Sequence, residues 1–140
     1  MALDGNIGKI TIIHRDQTLI GPLAEMATSL NWKPTNKLVN PATTAQEVAS
    51  FVLQEDPNLV LLAETYQEPL IVPKNSRSLG GQGIEALIEI RRAGYSKPVF
   101  MMSGSPEYRT EAEQARANGY LEIPTTLAEF SEFLAPYIQS

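Results

Sequence analysis

Asn58 to Ala63 reads Asn-Leu-Val-Leu-Leu-Ala, an almost unbroken apolar run that does not alternate with polar residues. A strand with one wet face would alternate, so this one is covered on both faces, as a central strand of a parallel sheet is. Parallel neighbours cannot be joined by tight hairpins and need long crossovers, usually helices. One short segment therefore commits the chain to an α/β architecture.

The rest of the chain supplies the alternation such a sheet requires. Lys9 to Ile13 is a β-branched strand, and Gln17 to Leu30 carries Leu19, Leu23, Met26 and Leu30 at helical spacing behind an Asp16 cap. Gly21-Pro22 falls inside that helix and is expected to kink it or delay its start. Lys37 to Asn40 is a weak second strand, and Thr44-Ala45-Gln46-Glu47 is a capping box opening a helix with apolar positions Val48, Phe51 and Val52. After the central run, Glu64 to Gly83 loses all periodicity and reads as a long loop rich in Pro, Ser and Gly.

Ile84 to Ala93 is then helical, with Ala86, Leu87 and Ile90 on one face, and Pro98 to Met102 is a buried strand. A fourth helix is expected from Ser105 to Ala117, stopped by Asn118-Gly119 in left-handed conformation. Tyr120 to Ile123 is the last strand, and Thr126 to Glu129 is a second capping box, opening a terminal helix that buries Leu127, Phe130, Leu134 and Ile138. Five strand–helix pairs in 140 residues predict a doubly wound (βα)5 flavodoxin-like fold with a parallel five-stranded sheet in the order 2-1-3-4-5. The whole of 1–140 is expected to be one domain, with a long inserted loop at about 64–83.

Composition narrows the function. The chain has no Cys, hence no disulfide framework, thiolate metal site or cysteine nucleophile. A net charge of −5 argues against nucleic-acid binding, which depends on clustered Lys and Arg. Met1 to Asn6 does not begin an export signal, and no run approaches the ~20 apolar residues of a membrane span. A soluble, cytoplasmic protein is expected. A flavin-phosphate loop is not present after the first strand, where His14-Arg15-Asp16-Gln17 is poor in hydroxyls and glycine. Neither phosphate-loop pattern occurs in the 64–83 segment, despite Lys74, Arg77 and Gly80-Gly81-Gln82-Gly83.

In a doubly wound sheet the chemistry gathers at the carboxyl ends of the strands. Here those ends carry His14-Arg15-Asp16, Ala63-Glu64, Ser103-Gly104 and Ile123-Pro124. Together with Asp56 to Ala63, Gly83 to Arg91, Pro98 to Ser103 and Gly119 to Pro124, these segments resemble the receiver domain of bacterial two-component response regulators over essentially the whole chain. In that family an acidic pair after the first strand holds magnesium, an aspartate ending the third strand accepts a phosphoryl group from a histidine kinase, and a lysine after the fifth strand contacts that group. The resemblance places His14 and Arg15 on the acidic pair, Ala63 on the phosphoacceptor and Ile123 on the lysine. Ser103 matches the small hydroxyl residue and Tyr120 the switch aromatic through which receivers transmit their signal, and Pro124 matches the proline after the fifth strand.

The resemblance therefore implies a degenerate form, a pseudo-receiver. Its expected function is phosphorylation-independent protein interaction in two-component-type signal transduction, without catalysis, cofactor or metal. The partner would be a sensor kinase or another signalling protein, bound on the face of the fourth helix, fifth strand and fifth helix. No output domain is expected after Ser140. Receivers also pair with a second copy through that face, to which Phe130, Phe133 and Tyr137 would contribute unless they are core. Ser103 and Tyr120 suit plain packing as well as they suit a switch, and His14 reads as a solvated strand-end histidine rather than a ligand or phosphocarrier. Alternatives are a small-molecule sensor using the emptied pocket lined by Ala63, Ile123 and the long loop, and a divergent receiver phosphorylated through a residual acidic site at Asp16 or Glu64. Arg15, near the family's metal position, is expected to pair with Asp16 or Glu64.

Overall fold

The computed structural model describes residues 8–40, 42–63, 82–103, 113–122 and 126–137. Five parallel strands, β1 (Gly8–His14), β2 (Trp32–Leu38), β3 (Leu59–Ala63), β4 (Val99–Ser103) and β5 (Gly119–Glu122), form one sheet in the order β2-β1-β3-β4-β5. This is the strand order expected from the sequence. The helices are α1 (Gln17–Ser29), α2 (Ala45–Glu55), α3 (Gln82–Arg92) and α4 (Leu127–Leu134), the last being the fifth helix of the sequence pattern. A single 3₁₀ turn, Ala135–Tyr137, follows α4.

Every residue of β3 is buried, because alternate side chains feed two separate apolar clusters. Val60 and Leu62 join Val48, Val52, Leu87 and Ile90 under α2 and α3. Leu59 and Leu61 join Ile20, Leu23, Phe130 and Leu134 under α1 and α4. The uninterrupted apolar sequence of β3 is thus the direct product of helices on both faces.

Several local expectations are corrected. The second strand begins at Trp32, not Lys37: β2 is an edge strand paired only with β1, so it needs few apolar residues, and Trp32 alone supplies a fully buried anchor. Pro34 sits within β2, a tolerable place because an edge strand has one unpaired side. Pro22 does not delay α1, which starts at Gln17 behind the Asp16 cap. The buried stripe of α1 is Ile20, Leu23 and Ala27, while Leu19, Met26 and Leu30 are only half-buried. Likewise Ala49 is buried in α2 where Phe51 is half-buried. Both capping boxes form, Thr44 with Glu47 and Thr126 with Glu129. Gln82 and Gly83 belong to α3, and the rest of the expected 64–83 loop lies outside the described residues.

At the amino-terminal edge of the sheet, the chain leading into β5 is held by α3. Arg91 donates to the carbonyls of Tyr95 (2.9 Å), Lys97 (2.7 Å) and Arg116 (3.0 and 3.2 Å) and to Asn118 Oδ1 (2.8 Å). Asn118 Oδ1 also accepts from the Val99 N–H (2.9 Å), while the Asn118 N–H donates to the Val99 carbonyl (2.8 Å). The left-handed residue before β5 is therefore Arg116 (φ 73°), not Asn118-Gly119. Gly119 is needed for another reason, since a Cβ there would stand 3.2 Å from the Phe100 ring. Of the helix expected over 105–117, only Glu113 and Gln114 are helical among the described residues.

Candidate functional site

The carboxyl ends of β1 and β3 lie side by side, since the last registered pair is Ile13 with Leu62 and the next residues are His14 and Ala63. His14 is 7% exposed, which corrects the expectation of a solvated side chain. Its Nδ1 accepts from the Asp16 N–H at 2.9 Å, and its backbone carbonyl accepts from the Val39 N–H at 3.0 Å. An imidazole with Nδ1 as acceptor is neutral, with its proton on Nε2. Burial first, and then the Arg15 guanidinium, lower its pKa from 6.5 to about 4, against a smaller opposing pull from Asp16.

Asp16 is the N-cap of α1. Its Oδ1 accepts from the Thr18 N–H at 2.9 Å and the Thr18 hydroxyl at 2.6 Å, and these bonds hold its carboxyl below the usual carboxylate range. Arg15, half-buried, is the weakest of the influences on that carboxyl, so Thr18 rather than Arg15 is its main partner. Glu64, the other acid named for Arg15 and for a residual site, lies outside the described residues, as do Ile123 and Pro124.

Ala63 is 2% exposed and packs in the cluster that contains Ile13, Leu62 and Met101. Ser103 ends β4 opposite Glu122 in register. Tyr120 pairs with Met101 and is half-buried against the α2–α3 cluster. The structure thus brings His14, Arg15, Asp16 and Ala63 to one end of the sheet and ends β4 there with Ser103. It sets Tyr120 two residues after the Asn118 junction.

No family model matches the chain, and no curated protein matches it. Solved structures do. A LuxR-family two-component response regulator from Aurantimonas sp. superposes with a TM-score of 0.73 at 15% identity, over 94% of this chain and 85% of that one. The BeF3-activated receiver domain of RstA from Klebsiella pneumoniae gives 0.71 at 16% identity, over 94% and 99%. The chemotaxis protein CheY4 from Vibrio cholerae gives 0.71 at 13%, over 93% and 98%. The chain has the receiver fold. Against NtrX from Brucella abortus, matched with a TM-score of 0.71 at 17% identity over 93% of this chain, it spans only about a quarter (26%) of the other chain's length.

The receiver fold invites a test of whether these residues suit a magnesium ion, a hard cation that takes oxygen ligands. They do not. Nδ1 of His14 is consumed by the Asp16 N–H, and Arg15 brings a permanent positive charge. Ala63 offers a methyl group, and the Asp16 carboxylate is engaged by Thr18. Among the described residues here, one carboxylate that already caps a helix, beside an imidazole, a guanidinium and a methyl group, falls short of the oxygen ligands and negative charge that magnesium takes.

The aromatic residues of the terminal helix are largely core. Phe130 is fully buried, and Phe133 lies edge-on to Phe100 with ring centroids 4.6 Å apart and stacked with Phe130 at 6.3 Å. Leu127, expected inside, is instead 46% exposed. The side chains of Tyr137 and Ile138 are outside the description. Asn118, expected from the sequence as a helix stop, is instead a junction residue together with Arg91, which the sequence pattern assigned no role. The available signal was an Asn next to a Gly directly before a strand, a pair that serves a junction as readily as a helix stop.

Proposed function

We propose that this chain is a phosphorylation-independent pseudo-receiver. In this reading it is an interaction module of two-component-type signalling that works in the cytoplasm, binds a sensor kinase or another signalling protein, and performs no catalysis. Ala63 carries the reading. A phosphoryl acceptor needs a nucleophilic oxygen at the end of β3, and the side chain there is a methyl group 2% exposed within an apolar cluster. His14 supports it from the neighbouring strand, because a buried neutral imidazole bonded to the next turn replaces a carboxylate that would hold metal.

The partner face in this proposal is the helix expected over 105–117, most of which lies outside the described residues, with β5 and α4. Leu127, rather than Phe130 or Phe133, offers exposed apolar surface on α4, and a second copy of the chain is a candidate occupant alongside a kinase. Among the described residues no helix is long and apolar enough to cross a membrane.

The test is an amide NMR titration of the full chain with magnesium and then with beryllofluoride, an acyl-phosphate mimic. The signals of Ala63, Ser103 and Tyr120 are expected to stay where they are. Saturable shifts at those residues would return the protein to the phosphorelay, through Asp16 or Glu64.

A further inference from the structure

The strand ends do not exhaust the surface of the molecule. Two clefts among the described residues flank α2. The larger, about 490 Å3, has Thr44, Ala45 and Gln46 at the start of α2 on one wall and Glu85, Ile88 and Glu89 of α3 on the other. The second, about 410 Å3, runs along α2 past Phe51 and shares Gln46 with the first. In it the Lys37 ammonium stands 5.4 Å from the Phe51 ring centroid. The larger volume is in the range of roughly 300–1,000 Å3 typical of binding clefts.

Of the large hydrophobic residues exposed among the described ones, Leu53 and Ile88 stand on α2 and α3, whereas Leu38 shares the sheet face of Trp32 and Leu127 stands on α4. Ile88, 40% exposed, lines the larger cleft itself. Leu53 follows Gln46 by seven positions and so shares its helix face.

Among the described residues that line the larger cleft, the charged side chains are acidic. Glu85 and Glu89 are one helical turn apart on α3. Glu89 pairs with Arg92 at 2.9 Å, but Arg92 is 70% exposed and stands outside the lining. On the opposite wall the capping box engages two backbone amides of the α2 start. The Glu47 N–H donates to Thr44 Oγ1 (3.1 Å) and the Thr44 N–H to Glu47 Oε1 (3.0 Å). Acids on a solvated helix are ordinary. Acids flanking an exposed isoleucine in a cleft complement, in charge and in apolar surface, a basic, aliphatic segment.

We infer that the α2–α3 cleft docks a segment of a partner protein in which a Lys or Arg stands beside an aliphatic side chain. The aliphatic group rests on Ile88 and Ala45, and the cation lies toward Glu85 and Glu89. This extends the interaction-module reading to a second surface. Its failure is distinguishable from the failure of that reading, because the phosphoryl-mimic titration reads Ala63, Ser103 and Tyr120 and this one reads the cleft.

The experiment titrates the labelled full chain with a short synthetic amphipathic peptide of Leu and Arg, beside Leu/Glu and Ser/Arg peptides of equal length. The Leu/Arg peptide is expected to give saturable amide shifts confined to residues 42–46 and 85–89. Its Kd should rise about tenfold in the Glu85→Gln/Glu89→Gln double variant, with added salt, and in Ile88→Ser. The Glu→Gln changes preserve shape at solvent-facing positions, and an unchanged melting curve checks the fold. Equal binding of the Leu/Glu peptide, shifts centred elsewhere, or no saturation would overturn the inference. So would concentration-dependent shifts of the same residues without peptide, which would assign the cleft to a second copy of the chain.

Discussion

His14 Nδ1 accepts a 2.9 Å hydrogen bond from the backbone N–H of Asp16, and that bond fixes both the tautomer of the imidazole and the turn from β1 into α1. Asp16 in turn caps α1 through Thr18, so a chain of protein groups holds the strand-to-helix turn together. This relationship makes stability depend on pH in a defined window.

Above about pH 6.5 His14 is neutral in both the folded and the unfolded chain. As the pH falls from 6.5 to about 4, the unfolded chain takes up a proton that the folded chain refuses, so stability drops, by on the order of 3 kcal/mol in all. Below about pH 4 the histidine contribution levels off. Urea denaturation across this window should show the slope in the wild type and lose it in His14→Gln. A slope that persists undiminished in the variant would assign the effect to other groups.

Ala63→Asp should not rescue phosphorylation. It places a carboxylate in an apolar cluster where Ala63 is 2% exposed, and the expected cost is about 3 kcal/mol or more. Urea midpoints measure the loss, and acetyl phosphate labelling followed by mass spectrometry measures the chemistry. A stable, phosphorylated variant would contradict the account of the site.

Thr44→Ala and Thr126→Ala each remove one side of a capping box, at an expected cost of about 1 kcal/mol apiece. The two helices pack on opposite faces of the sheet, so the double variant should lose the sum of the single losses. Thermal denaturation of the single and double variants checks both statements.

Arg91→Lys should behave as a disruptive change. A lysine cannot reproduce the fork that reaches Tyr95, Lys97, Arg116 and Asn118 together, and the expected loss is about 1–3 kcal/mol. Amide hydrogen exchange should quicken at Val99 and Asn118 before it quickens in β1. Uniform protection in the variant would show that the clasp is dispensable.

The architecture was legible because it depends on patterns that tertiary context rarely overrides. β3 announced a doubly covered strand, and the two capping boxes marked helix starts to the residue. β2 was not legible, since an edge strand anchored by Trp32 has no alternation to read and contains Pro34. The environment of His14 was hidden for a different reason: its burial comes from strand position and from the Asp16 turn, neither of which leaves a mark on the residue type. Arg116 is left-handed where Asn118-Gly119 was expected to be, and Asn118 is bonded to Val99 and Arg91, long-range contacts that a local rule about Asn-Gly cannot see. At the site, residue types spoke plainly where chemistry had been removed, as at Ala63, and told less about what had been built in its place.

The outer margin of β2 has a consequence for how copies of this molecule meet. Pro34 contributes no N–H to either side of the strand, and Lys33 and Lys37 flank it in sequence. A foreign strand arriving there would find a gap in the donor row and ammonium groups on either side of it. Sheet-to-sheet polymerisation is disfavoured at this margin, which leaves helix surfaces as the favoured contacts on this side of the molecule.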